Sequence, residues 1–123
     1  MIYDWSGKKL LIVEDNDINC LLFEHILNNT KLDFIFAISS NDFFDLVDNN
    51  TYDLILMDIN ICEDITGIDL IKYLKYNNIK TPVIIHSALD SYNLDNPDIK
   101  GIDVIRKPMD INLFMVKLNN VFK

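Results

Sequence analysis

The chain has 123 residues, half of them apolar, and a formal net charge of −8 at pH 7. This length suits a single domain with a core large enough to fold alone, and the composition is that of a globular rather than a disordered protein. An acidic surface repels phosphates, so direct binding to nucleic acid is not expected, whereas a divalent cation or a basic partner surface is compatible with the charge.

No apolar run approaches the roughly 18 residues that a transmembrane helix needs, and the opening residues, MIYDWSGKK, lack the apolar core of a signal peptide. We therefore expect a cytoplasmic protein whose domain makes no membrane contact. The two cysteines, Cys20 and Cys62, form neither a disulfide framework nor a CxxC metal pair, and we expect reduced thiols.

Strand-like and helix-like patterns alternate along the chain. Short apolar runs predict strands at 8–13, 33–38, 53–57, 81–86 and 102–105. Apolar residues at helical spacing predict a first helix, and they are Ile18, Leu21, Leu22 and Ile26. Further helices are predicted over 39–50, 66–76 and 111–122, whereas 90–100 is ambiguous.

Two of the predicted helices begin at capping signals. Ser39 or Ser40 suits an N-cap, and the segment Thr66–Asp69, T-G-I-D, fits a capping box. Trp5, ahead of the first strand, is expected to pack on the domain edge or to belong to a junction with an upstream segment.

Five strand–helix units with short connections and continuous apolar strands predict an α/β fold, a parallel sheet covered on both faces. We expect one domain over residues 1–123, with its core at about 8–122 and a lead-in at 1–7.

Polar residues follow four of the predicted strands. Glu14 and Asp15 follow the first, Asp58 the third, Ser87 the fourth and Lys107 the fifth. Sites in open parallel sheets form outside the carboxyl ends of the strands, so the topology gathers these side chains at one edge. An aspartate at a strand end commonly caps the next turn, and that interpretation of Asp58 stands beside a functional one.

Three carboxylates at one edge require a cation, and oxygen ligands suit Mg²⁺. A carboxylate such as Asp58 can act as a nucleophile and form an acyl phosphate, with the metal and Lys107 binding the phosphoryl oxygens. The hydroxyl of Ser87 offers a hydrogen bond to the modified group. The pattern indicates phosphoryl transfer by positioning and charge neutralisation.

The chain resembles the receiver domain of two-component response regulators from Lys8 to Phe122. The segments that carry the resemblance are LLIVEDN, LILMD, HSA and RKP, in this order. VEDNDIN is similar to receivers attached to hybrid sensor histidine kinases, and YDWSGKKLLIVEDN to the lead-in that joins such a receiver to a kinase core.

The resemblance implies a flavodoxin-like doubly wound sheet, (βα)5, with strand order 2-1-3-4-5. It makes Asp58 the phosphoacceptor, Ser87 and Lys107 the contacts of the phosphoryl group, and the Lys107–Pro108 bond cis. The implied Mg²⁺ ligands are Glu14, Asp15, Asp58 and the backbone carbonyl of Asn60. The implied donor is a histidine on a kinase or phosphotransfer protein, and the domain is expected to be a monomer or weak dimer, not a conventional enzyme.

The chain departs from the family pattern in three places. Val104 stands where Tyr or Phe is usual, the loop 58–67 lacks a proline and is one residue longer than the commonest form, and the interval from Ser87 to Lys107 is slightly short. A pseudo-receiver that binds partners without phosphorylation therefore stays open. A magnesium-dependent phosphatase or nuclease is disfavoured, because Asn60 occupies the position where such enzymes need a second aspartate.

Overall fold

A computed structural model describes residues 2–61, 64–88 and 96–123. Its five parallel strands form one sheet with the order β2-β1-β3-β4-β5, which confirms the predicted topology. The strands are β1 (Lys9–Val13), β2 (Asp33–Ala37), β3 (Leu54–Met57), β4 (Val83–Ser87) and β5 (Asp103–Arg106). The fourth strand begins two residues later than predicted, because Pro82 has no N–H to donate to the ladder.

Four helices are described, each begun by a side chain that accepts a hydrogen bond from a backbone N–H of the first turn. They are α1 (Asp17–Leu27), α2 (Ser40–Asn49), α3 (Gly67–Tyr76) and α4 (Ile111–Phe122). Ser39 is the cap of α2, and Thr66 and Asp69 form the predicted reciprocal capping box of α3.

The ambiguous segment at 90–100 lies partly outside the described residues. Positions 96–101, which the structure does describe, form turns rather than a helix before β5.

The first helix turns a different face to the core from the one its sequence indicated. Ile18, Leu21 and Leu22 are 75%, 63% and 40% exposed, whereas Phe23 and Leu27 are buried. Both rows satisfy helical spacing, so periodicity predicts the helix without choosing its buried side. The row that includes Phe23 is inside, where the large ring buries the most apolar surface.

The core has two layers, one on each face of the sheet. Alternate residues of the central strands, such as Leu11 and Ile55, pack with α2 and α3, while their neighbours Leu10 and Leu54 pack with α1 and α4. Trp5 belongs to the second layer: it is buried, and its Nε1–H donates to Oδ1 of Asn119 at 3.0 Å. Of the two interpretations of Trp5, packing on the domain is the one that this contact supports.

Among the described residues, no helix combines the length and the apolar character that crossing a membrane requires.

Candidate functional site

The carboxyl edge of the sheet brings the predicted polar residues together. Hydrogen bonds continue the strand ladders past the strand ends: Glu14 N donates to Ala37 O at 3.0 Å, and Asp58 N donates to Val13 O at 3.1 Å. Lys107 N likewise donates to Ser87 O at 3.1 Å. The backbones of Glu14, Asp58 and Lys107 are therefore held by neighbouring strands.

Three carboxylates form a compact acidic cluster at this edge. One oxygen from each of Glu14, Asp15 and Asp58 lies within 4.8 Å of the other two. Glu14 is 1% exposed and Asp58 is 3% exposed, because both follow strands that are covered on both faces. Asp15 is half-buried and forms the outer side of the cluster.

Both oxygens of the buried Asp58 carboxylate have a donor. Lys107 Nζ donates to Oδ2 at 2.9 Å, and the backbone N–H of Asn60 donates to Oδ1 at 2.9 Å. The second bond is the turn-capping role that a strand-end aspartate commonly plays, so this interpretation and the functional one hold together. These two donors explain how the chain buries a carboxylate beside its core.

Glu14 lies close to two donors, one of which it shares with Asp58. Asn19 Nδ2 donates to Glu14 Oε1 at 3.0 Å, and Lys107 Nζ lies 3.5 Å from the same oxygen. Sequence reasoning did not identify Asn19. The available signal was its position in the first turn of α1, five residues after Glu14.

Burial and close contact shift the pKa values of two groups in the cluster. Burial, with the neighbouring Asp58, raises the pKa of Glu14 to about 7. Burial lowers the pKa of Lys107, but Asp58 and Glu14 outweigh it and the net pKa is raised. Lys107 pairs with Glu14 and Asp58, and the third carboxylate, Asp15, lies beside them, so a divalent cation fits the oxygen ligands of the cluster.

Two polar side-chain atoms at the end of β4 have no hydrogen-bond partner among the described residues. Ser87 Oγ and His86 Nε2 are buried, and neither atom has a partner in the described part of the chain. The ring of His86 packs edge-on against the ring of Phe23, with the ring centroids 5.5 Å apart, so His86 is a packing residue. Burial, followed by the charge of Lys107, lowers the pKa of His86 to about 4.

One further expectation, the cis bond before Pro108, is met beside the site. The Lys107–Pro108 peptide bond is cis. Val104 is half-buried and packs against the core layer of α2 and α3. Asn60 is exposed, and its backbone N–H is the group directed at Asp58.

The response regulator receiver domain family matches residues 10–119 of the chain. The response regulator protein PilR of Pseudomonas aeruginosa is 31% identical over 108 residues, which cover 86% of this chain and 24% of PilR. ArlR of Staphylococcus saprophyticus is 27% identical over 116 residues, which cover 94% of this chain and 52% of ArlR. The chain thus spans between a quarter and a half of the length of these relatives.

Solved receiver structures share the fold. The receiver domain of Francisella response regulator 1452 has a TM-score of 0.83 and 30% identity, covering 94% of this chain and 97% of that one. A CheY-like receiver domain from Methylobacillus flagellatus has a TM-score of 0.79 at 22% identity, covering 94% and 99%. With the family match over most of its length, this chain belongs to the response regulator receiver domain family of two-component signal transduction.

Proposed function

We propose that Asp58 is the phosphoacceptor of this receiver. The observation that supports this most is the setting of its carboxylate, which is buried, fixed by Lys107 and Asn60, and clustered with Glu14 and Asp15. An oxygen of Asp58 forms a bond to phosphorus while the bond between phosphorus and the donor histidine breaks. The electron pair of the broken bond leaves with the imidazole nitrogen. No general base is needed, because the carboxylate is itself the nucleophile.

The acidic cluster would hold Mg²⁺ through side chains of Glu14, Asp15 and Asp58 and through the backbone carbonyl of Asn60. The ion supplies a positive charge for the phosphoryl oxygens. Two observations support this site: the 4.8 Å grouping of the carboxylate oxygens, and the raised pKa of Glu14, which follows from its burial and from the neighbouring Asp58.

Lys107 and Ser87 would contact the phosphoryl group. The ammonium of Lys107 already lies 2.9 Å from Asp58, so it is in place to pair with a phosphoryl oxygen on that side chain. The hydroxyl of Ser87 has no partner among the described residues and is free to donate a hydrogen bond to the modified aspartate. The two residues end neighbouring strands, so they report phosphorylation to β4 and β5.

The phosphodonor would be a histidine on a kinase or a phosphotransfer protein, acting in the cytoplasm. We propose that residues 1–123 form one receiver domain of a hybrid sensor histidine kinase, on the strength of VEDNDIN and the lead-in segment. The relatives include response regulators such as PilR, so the alternative is that this chain is the receiver domain of a response regulator. Phosphotransfer rates from a kinase core and from separate phosphotransfer proteins distinguish the two.

The experiment that tests the proposal is the intact mass of the protein after incubation with acetyl phosphate. We expect one phosphoryl adduct in the wild-type chain that requires Mg²⁺, and none in Asp58→Asn. Asparagine keeps the shape of the side chain but is not a nucleophile of this kind. A folded wild-type chain that forms no adduct, also with candidate kinases, would overturn the proposal and favour a pseudo-receiver.

A further inference from the structure

The first residue of α3 lies against the backbone of Asp58. A methyl group at Gly67 would lie 2.4 Å from the carbonyl oxygen of Asp58 and 2.7 Å from Cα of Ile59. Non-bonded carbon atoms are at their optimal separation at roughly 3.5–4.0 Å. Both opposing atoms belong to the main chain and have no rotamer to change, so only a hydrogen atom fits at this position.

Hydrogen bonds fix the close approach of α3 to the main chain of Asp58 from both sides. Gly67 N donates to Ile59 O at 2.9 Å, which joins the first turn of α3 to the residue after Asp58. On the other side, Asp58 N donates to Val13 O of β1 at 3.1 Å. The capping box of Thr66 and Asp69 sets where α3 begins. The main chain of Asp58 is thus held between β1 and the start of α3.

We propose that Gly67 is a positioning residue for the phosphoacceptor. Its missing side chain lets α3 start against the Asp58 carbonyl, and this contact sets how far the carboxylate reaches toward Lys107 and the acidic cluster. The Asp58 carboxylate has little freedom to shift, because its hydrogen bonds to Lys107 and to Asn60 N are each 2.9 Å long. Gly67 acts through the main chain of Asp58 and touches no reacting atom. The inference rests on the proposed function of Asp58.

The backbone conformation of Gly67 gives no other reason for a glycine. The glycines with positive φ are Gly7 at +80° and Gly101 at +86°, and Gly67 is not among them. Alanine forms helices better than glycine, so Gly67→Ala carries no conformational penalty of its own. Any loss in that variant therefore comes from the contact with Asp58 and Ile59.

Gly7 and Gly101 provide matched controls with the opposite properties. Alanine at either position is strained by the positive φ, yet, apart from its chain neighbours, its methyl group would meet no atom of the described residues within 4 Å. Gly7→Ala and Gly101→Ala should lose stability without disturbing the acidic cluster. Gly7 precedes β1, at the opposite end of the sheet from Asp58.

The test compares Gly67→Ala with both control variants in the full chain. Emission of Trp5, the single tryptophan, and circular dichroism report folding. Thermal stability is titrated with Mg²⁺, and adduct formation at saturating acetyl phosphate is timed by intact mass. We expect Gly67→Ala to fold, to bind Mg²⁺ several-fold more weakly, and to form the adduct on the order of tenfold to a hundredfold more slowly. The controls should keep wild-type Mg²⁺ affinity and rate.

The outcomes separate this inference from the function on which it rests. An active wild-type chain with a Gly67→Ala rate equal to that of the controls would overturn the positioning role. A wild-type chain that binds Mg²⁺ but forms no adduct would overturn the proposed function, while a weaker Mg²⁺ affinity confined to Gly67→Ala would still support positioning.

A Gly67→Ala chain that does not fold is examined again in trimethylamine oxide, which favours compact states. If it stays unfolded there while both control variants fold, the contact is a packing requirement of the fold, and the positioning role is overturned.

Discussion

Two halves of the carboxyl edge differ in how their polar atoms are satisfied. In the acidic half, built from β1, β3 and the residue after β5, Asp58 and Glu14 each accept bonds from fixed donors. In the half that ends β4, the buried Ser87 Oγ and His86 Nε2 have no partner in the described residues. The acidic half is preorganised around charge, whereas the β4 half keeps unused hydrogen-bonding capacity.

The difference indicates separate roles for the two halves. A site that moves a phosphoryl group needs its charged groups in place beforehand, because reorganisation during the reaction raises the barrier. A site that reports the modification needs a group whose bonding changes when the modification appears. Ser87 suits that second task, since its hydroxyl loses no internal hydrogen bond on turning to a new acceptor.

The largest expected effect comes from removing the ammonium that pairs with Asp58 and Glu14. We expect Lys107→Met to slow adduct formation from acetyl phosphate by about 10²–10³-fold, as for loss of one preorganised donor. Mg²⁺ should bind more tightly to this variant, because the ammonium no longer competes for Asp58 and Glu14. Timed intact mass and Mg²⁺ titration measure the two effects.

Lys117→Met is the matched control for that substitution. Lys117 pairs at 2.5 Å with Asp103, whose side chain is 53% exposed, and neither residue belongs to the acidic cluster. A wild-type rate in Lys107→Met, or an equal loss in both variants, would remove Lys107 from the phosphoryl site.

The second effect concerns His86 and appears as pH-dependent stability. The pKa of His86 falls from 6.5 to about 4 on folding. Between these values His86 binds a proton in the unfolded chain but not in the folded chain. The stability that depends on a neutral His86 is therefore fully present above pH 6.5 and is lost as the pH falls toward 4. We expect His86→Phe to lose less stability than wild type between pH 7.5 and 5, by on the order of 1–2 kcal/mol.

Denaturant unfolding at the two pH values measures this difference. His25→Phe places the same substitution on the exposed side of α1. This variant should change its free energy of unfolding between the two pH values as the wild type does. Equal slopes in wild type and His86→Phe would show that the buried imidazole does not titrate as its surroundings indicate.

Much of the site was predictable because it depends on strand ends. A short apolar run fixes where a parallel strand stops, and the residue that follows must lie at the carboxyl edge, so Glu14, Asp58, Ser87 and Lys107 could be placed from local patterns. The buried face of α1 could not be placed this way, since two apolar rows fit the same helix.

The supporting residues were harder to foresee. The first turn of α1 places the amide of Asn19 beside Glu14. The start of α3 places Gly67 against the main chain of Asp58. Both depend on how two elements approach each other, which hydrophobic periodicity does not encode. The segment T-G-I-D predicted the cap of α3 correctly. The same segment does not predict the contact between Gly67 and Asp58.

The smallest expected effect is on the stability of the β4 half. We expect Ser87→Ala to change the free energy of unfolding by less than about 1 kcal/mol, because the deleted hydroxyl has no hydrogen bond to lose. Ser39→Ala provides the contrast: Ser39 Oγ accepts from Asp42 N at 3.1 Å as the cap of α2, and its loss should cost about 1 kcal/mol. Denaturant unfolding of both variants without Mg²⁺ gives the comparison. If Ser87→Ala proved the more destabilising of the two, the Ser87 hydroxyl would be a bonded structural group, and its role as the free reporter of phosphorylation would fall.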